Sequence, residues 1–207
     1  YNQHINSING HVSSQPGNIS ILSFNIRSLL KNNVQLAHLI GQHKPDIIVL
    51  QETWLNSNIE AFVIEGYKCI SRMDRREIRK GGGVAMYAKS TLDSIVHVRN
   101  SADAERSWHY LHTDRGVIAI GNFYRPPDAA PLAIESLKAE LSAIVGHVVG
   151  VILLGDFNIH HRKWLRFSSC NSSLGEVLHE CCQSLGLHQL VHEPIVDSIY
   201  SILSSVM

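Results

Sequence analysis

A chain of 207 residues, 44% hydrophobic and 17% charged, is long enough to bury a substantial core and too apolar for wholesale disorder. Its formal net charge of zero excludes a globally basic nucleic-acid binder and leaves any such partner to a local patch. The longest apolar run, near residues 148–154, is far too short to span a bilayer, and no signal peptide is visible, so no membrane partner is expected.

Residues 1–18 lack Lys, Arg, Asp and Glu and are rich in Asn, Ser and Gly, which reads as a disordered lead-in. The chain starts with Tyr rather than Met, which fits a fragment at that end. Residues 19–207 read as a single domain, with no repeat or linker dividing them. Structure is expected from Ile19, where the stretch to Asn25 alternates like a strand. From Asn33 to His43, Val34, Leu36, Ala37, Leu39 and Ile40 fall at helical spacing, and Lys44-Pro45 stops the helix. The apolar, β-branched run 47–51 follows as a strand buried on both faces. Further strands are predicted near 67–72, 83–88, 95–99, 108–113 and 117–124, the last two joined by a turn at Asp114-Arg-Gly116. Pro126-Pro127 ends that run. A helix over 131–145, a buried strand over 151–154 and a helix over 173–185 with a C-cap at Gly186 complete the pattern. Helices before and after a meander of strands predict an α/β (α+β) fold: a four-layer α-β-β-α sandwich of two packed sheets with outer helices.

Four cysteines (Cys69, Cys170, Cys181, Cys182) show no CxxC spacing and read as mostly reduced, buried thiols of an intracellular protein. Thirteen histidines are scattered without an HExxH or finger pattern. Lys68, Arg72, Arg75, Arg76, Arg79 and Lys80 crowd one stretch, offset by Asp74 and Glu77. They form either an electropositive rim for a phosphate backbone or a solvated loop between strands, the second being the default. Gly81-Gly82-Gly83 lacks the Lys-Ser/Thr and helix of a phosphate loop and reads as a permissive turn into a strand.

Chemistry is expected at the strand ends, from Asn25, Glu52, Tyr124, Asp156 and Asn158. Phosphodiester hydrolysis needs a cation to offset developing charge, an activated water, and donors to the phosphoryl oxygens. Glu52 is a hard oxygen ligand suited to Mg2+ or Mn2+. Asp156 suits the attacking water, Asn158 and Asn25 suit phosphate or the metal shell, and Tyr124 and Arg125 offer a phenol and a guanidinium. Taken singly each has a structural alternative, such as Asp156 shaping a turn or Asn25 capping a strand.

Taken together, Phe24-Asn25-Ile-Arg27, Gln51-Glu52-Thr53-Trp54, Asn122-Phe-Tyr124-Arg125-Pro126-Pro127 and Gly155-Asp156-Phe157-Asn158 resemble the endonuclease/exonuclease/phosphatase superfamily. Glu105-Arg-Ser-Trp108 and the Tyr-Arg-Pro-Pro turn narrow the resemblance to the apurinic-endonuclease-like domain of non-LTR retrotransposons. The resemblance implies Glu52 as principal metal ligand with Asn25 beside it, usually holding magnesium. It implies Asp156 and Asn158 at the nucleophilic water and scissile phosphate, and Tyr124 at the phosphate. DNA is the implied substrate, nicked hydrolytically, and a retroelement enzyme would work in the nucleus. His160 and His161, followed by Trp164, match a position where that subgroup often has a histidine. Local packing or a phosphate contact is the favoured role there over a general base. Arg162, Lys163 and Arg166 add positive charge that could touch DNA.

The superfamily pattern ends with a strand aspartate and a terminal Ser-Asp-His. Here resemblance runs to His192-Glu-Pro194, and the remaining residues contain no Asp-His pair; Asp197 lies in the wrong context. The expectation is therefore a C-terminally truncated domain, its last strands missing, an edge of the sheet open and its activity weak. A phosphatase on the same scaffold and a noncatalytic DNA- or protein-binding remnant are the alternatives.

Overall fold

The computed structural model describes residues 19–75, 81–163, 168 and 170–190, together with the backbone of 201–206. The lead-in, the cations Arg76, Arg79, Lys80 and Arg166, and Glu77, Trp164 and Asp197 lie outside the described residues. Two mixed sheets pack face to face. One has four strands in the order β1-β2-β4-β3: β1 Ile21–Asn25, β2 Ile47–Gln51, β3 Tyr67–Met73 and β4 Val84–Lys89. The other has six in the order β5-β6-β7-β8-β10-β9: β5 Ile95–Asn100, β6 Glu105–Thr113, β7 Gly116–Tyr124, β8 Gly150–Asp156, β9 His188–Gln189 and β10 Ser201–Val206. Helix α1 (Asn33–His43) covers the first sheet, while α2 (Leu132–Val145) and α3 (Ser173–Ser184) cover the second. This is the four-layer α-β-β-α sandwich expected from the sequence.

Period-two alternation sorts the side chains into layers. Leu22, Phe24, Ile48, Leu50, Ala85 and Tyr87 face α1, whose Leu36 and Leu39 complete that cluster. Trp108, Ala119, Phe123, Val151 and Leu153 face α2 and α3. Ile21, Ile47, Val49, Met86, Ile95, Leu111, Ile120, Ile152 and Leu154 fill the space between the sheets. Along one direction this inner layer turns polar. Ile21 gives way to Asn25, Val49 to Gln51, Ile120 to Asn122 and Tyr124, and Leu154 to Asp156. The parallel pairs β1/β2 and β7/β8 run the same way, so these polar positions gather at one end of the inter-sheet layer.

Three elements depart from the sequence reading. Beyond α3 the hydrophobic period signals no strand and the last strands were expected to be missing, yet β10 pairs antiparallel with β8 and β9 pairs with β10. Strand β6 also begins three residues early, at Glu105. The reason is a buried charge that breaks the apolar pattern. Arg106, 0% exposed, donates from Nε to Glu140 Oε2 on α2 at 2.7 Å, and the Trp108 indole donates to the same oxygen. The cysteines also divide: Cys181 and Cys182 are buried free thiols, but Cys69 and Cys170 are exposed, because Cys69 lies on an outer strand and Cys170 in a loop. No helix among the described residues is long and apolar enough to cross a membrane.

Candidate active site

Where β2 leaves its sheet, Glu52 breaks the alternation. Its even-numbered predecessors Ile48 and Leu50 face α1, but its φ of +53° turns its carboxylate toward the inter-sheet rim. Arg27, Ser28, Trp54 and Asn158 are also non-glycine residues at positive φ. Left-handed backbone costs on the order of 1–2 kcal/mol per residue, and it persists only where the surroundings over-determine it. Here they do. Ser28 N donates to Glu52 O and Leu29 N to Thr53 O, both at 2.9 Å, while Thr53 N and Trp54 N donate to Gly83 O and Gly82 O at 3.2 and 2.9 Å. The triglycine therefore serves as a turn into β4, as expected. A Cβ on Gly83 would meet Thr53 Oγ1 at 2.5 Å.

On the opposite sheet, Gly155 (φ +145°) lets β8 press against β7, since a Cβ there would lie 1.8 Å from Phe123 O. This close approach brings Asp156 level with Tyr124 in the parallel register.

The two sheets meet at Asn25. Its Nδ2 donates to Glu52 Oε1 at 2.6 Å and to Asp156 Oδ2 at 2.9 Å, tying carboxylates 104 positions apart in sequence to one amide. The Trp54 indole donates to the other Glu52 oxygen at 3.1 Å. Burial raises the Asp156 pKa, and the Glu52 charge adds to the rise, against hydrogen bonds from Asn25 and Asn158 N. Burial also raises the Tyr124 phenol, and the nearby Glu52 carboxylate adds to the rise, so it is a donor and not a base. Two carboxylates facing one neutral amide in a buried corner fit a hard divalent cation, whose charge would offset both. Asn25 shows Nδ2 to this corner, while its Oδ1 accepts from Arg27 N at 3.1 Å, so ligation through Oδ1 requires the amide to turn over.

Arg125 and Asn158 form an adjoining clasp. Asn158 Nδ2 donates to Arg125 O at 2.7 Å, and Asn158 N donates to Asp156 Oδ1 at 3.1 Å. Arg125 is only 3% exposed, and its guanidinium donates inward to the carbonyls of Ala129 and Asn158. Of the expected substrate contacts, His160 and Arg162 are exposed, whereas His161 is buried against Glu176 and His179. The described cations of the basic stretch are committed locally: Lys68 to Asp93, Arg72 to Asp74 and Arg75 to Glu105. Lys68 and Arg72 lie on β3 and Arg75 just beyond it, so a strand rather than the expected solvated loop carries the first two.

Four residues of the site are absent from the catalytic, metal and substrate candidates of the sequence reading. Trp54 holds Glu52. Arg75 lies 5.7 Å from the Tyr124 ring centre and is fixed by Glu105 at 2.5 Å, with Glu105 also accepting from Gly83 N. Asn122 is 0% exposed and crosses between the sheets, donating to Leu50 O and Ala85 O at 3.1 Å each and accepting from Gln51 Nε2 at 2.8 Å. All but Arg75 fall inside the quoted motifs, so the signal was present without a role attached.

The face-to-face double sheet thus ends in one carboxylate–carboxamide corner. Residues 22–194 match the Endonuclease/Exonuclease/phosphatase family, and the chain belongs to it. Among solved structures it is similar to the endonuclease domain of TRAS1, a telomere-specific non-LTR retrotransposon (TM-score 0.66, 18% identity, 89% of this chain and 82% of that one). It is also similar to an AP endonuclease from Leishmania major (TM-score 0.63, 20% identity, 81% and 67%). A third likeness is to a mannosyl-6-phosphatase from Bacteroides thetaiotaomicron (TM-score 0.57, 16% identity, 89% and 84%). At such identities the likeness shows the fold. A comparison with curated protein sequences finds no match.

Proposed function

We propose that this chain carries the site of a Mg2+-dependent, DNA-nicking phosphodiester hydrolase of a retroelement, and that the 207-residue polypeptide turns over slowly. The observation that carries the reading is the convergence of Asn25, Glu52 and Asp156 from both sheets on one corner. Glu52 would hold the ion, with Asn25 joining through Oδ1. The ion, when bound, would supply charge to offset the developing phosphoryl oxyanion. Asp156 orients the attacking water from a buried position, and its raised pKa suits it to accept a proton. The Tyr124 phenol stays protonated and donates to a nonbridging oxygen. Asn158, at φ +47°, stiffens the loop that carries Asp156, and it presents its amide beside the same phosphate. The neighbouring fold of a retrotransposon endonuclease domain supports DNA as the substrate class.

No Asp-His dipeptide occurs in the 207 residues. Lacking one acid–base group commonly costs 10^2- to 10^4-fold in rate, roughly 3 to 5.5 kcal/mol of transition-state stabilisation. The same observation favours a second reading, a remnant that binds DNA without cutting it. Supercoiled-plasmid nicking separates these. The proposal expects slow nicking that requires Mg2+ and disappears in Glu52→Ala. Metal-dependent DNA binding with no nicking favours the remnant. Fast turnover would contradict slow catalysis, nicking unaffected by Glu52→Ala would contradict the site, and faster phosphate release from sugar phosphates would move the substrate class.

A further inference from the structure

Three residues after Asn158 the chain enters a second cluster of titratable groups. His161 Nε2 lies 3.1 Å from Glu176 Oε2, and the His161 and His179 rings lie 4.4 Å apart, 15° from parallel. One ligand atom from each of His161, Glu176 and His179 falls within 4.8 Å of the others. Both histidines are buried, while the Glu176 side chain is 45% exposed, so the cluster opens to solvent on one side. Glu176 and His179 are separated by three positions on α3 and so share a helix face. Asn171 Nδ2 donates to Glu176 Oε1 and its Oδ1 accepts from Arg162 N at 2.9 Å, so an amide orients the carboxylate and pins the loop to the helix start.

We infer that His161, Glu176 and His179 form a transition-metal site of the Zn2+ class, distinct from the hard-cation corner at Glu52. Two imidazoles and a carboxylate are a borderline donor set that favours Zn2+ over Mg2+, and they leave a fourth position for water. An ion must lie in the plane of each ring that binds it, which parallel rings cannot both satisfy, so binding swings one imidazole out of the stack. Lys163 places positive charge nearby, which the Glu176 carboxylate opposes. An ion here would tie the loop following Asn158 to α3. This inference does not depend on the phosphodiesterase reading.

The test titrates chelator-treated protein with Zn2+ and with Co2+. One equivalent is expected to bind at this cluster, with intense Co2+ bands of four-coordinate geometry that excess Mg2+ does not displace. Glu176→Gln, at a half-exposed position that tolerates change, is expected to weaken Zn2+ at least tenfold, as is His179→Ala. Cys170→Ser is expected to leave affinity unchanged, which separates the site from nearby thiols. Equal Zn2+ affinity in wild type and both variants would overturn the inference. So would an absence of saturable binding, even if the variants lower the Tm of the metal-free protein, because the cluster would then be packing alone.

Discussion

At Gly155 the absence of a side chain decides whether Asp156 reaches the rim. The backbone there combines φ +145° with an approach that would put a Cβ 1.8 Å from Phe123 O. Gly155→Ala must therefore push β8 away from β7 and impose a conformation that an L side chain resists. We expect a loss of about 3 kcal/mol or more in urea unfolding, while a chain as stable as wild type would contradict the close approach. Glu52 shows the same economy of position. In a regular strand its carboxylate would face α1; one left-handed residue, held by bonds from both flanking segments, turns it to meet Asn25.

Between elements, two buried polar links set the spacing of the site. Asn122 joins β7 to the carbonyls of β2 and β4 one strand position below the rim. Replacing it by Ala removes three buried hydrogen bonds between the sheets, at about 1 kcal/mol each. Because Asn122 lies two residues before Tyr124 and bonds β2 one residue from Gln51, Asn122→Ala is expected to weaken Mg2+ binding as well as lower Tm. Calorimetric titration checks this, and unchanged Mg2+ affinity in a destabilised variant would make Asn122 a stability element only. The second link is Glu140, which receives Arg106, Trp108 and Ser101. Burial alone would raise its pKa, but these hydrogen bonds outweigh it and the net shift is downward from 4.5. A depressed folded pKa contributes stability that is complete above the unfolded value and fades as pH falls through the folded one. Glu140→Gln is thus expected to cost about 3–5 kcal/mol at pH 7, by leaving Arg106 buried and unpaired. The gap to wild type should narrow only as pH falls below about 4.5, and a gap that narrows between pH 7 and 5 would contradict the assignment.

Across the whole molecule, the sandwich was legible because its strands keep strict alternation or continuous apolar runs, as in 47–51 and 151–154, and its helices keep clear spacing, as in Asn33–His43. Of the candidate site, the meeting of Asn25, Glu52 and Asp156 was legible as strand-end motifs that share one polar edge. What escaped has physical causes. Strand β10 (Ser201–Val206) pairs through its backbone, and its Ser-rich sequence lacks a strand period; β9 is two residues long. Arg106 carried no role in the sequence because its partner Glu140 lies 34 positions away on a helix. Arg125 looked like a phosphate fork until folding turned it toward the Ala129 and Asn158 carbonyls. His161 gained its partners only when α3 packed against the loop.

The account stands on one corner, built by both sheets, acting as a divalent-cation site. Anomalous X-ray scattering from Mn2+-soaked crystals tests it without relying on turnover. The account predicts a peak at bonding distance, about 2.1 Å, from a Glu52 carboxylate oxygen, lost in Glu52→Gln. Crystals that bind Mn2+ elsewhere while leaving Glu52, Asn25 and Asp156 bonded only to one another would contradict it.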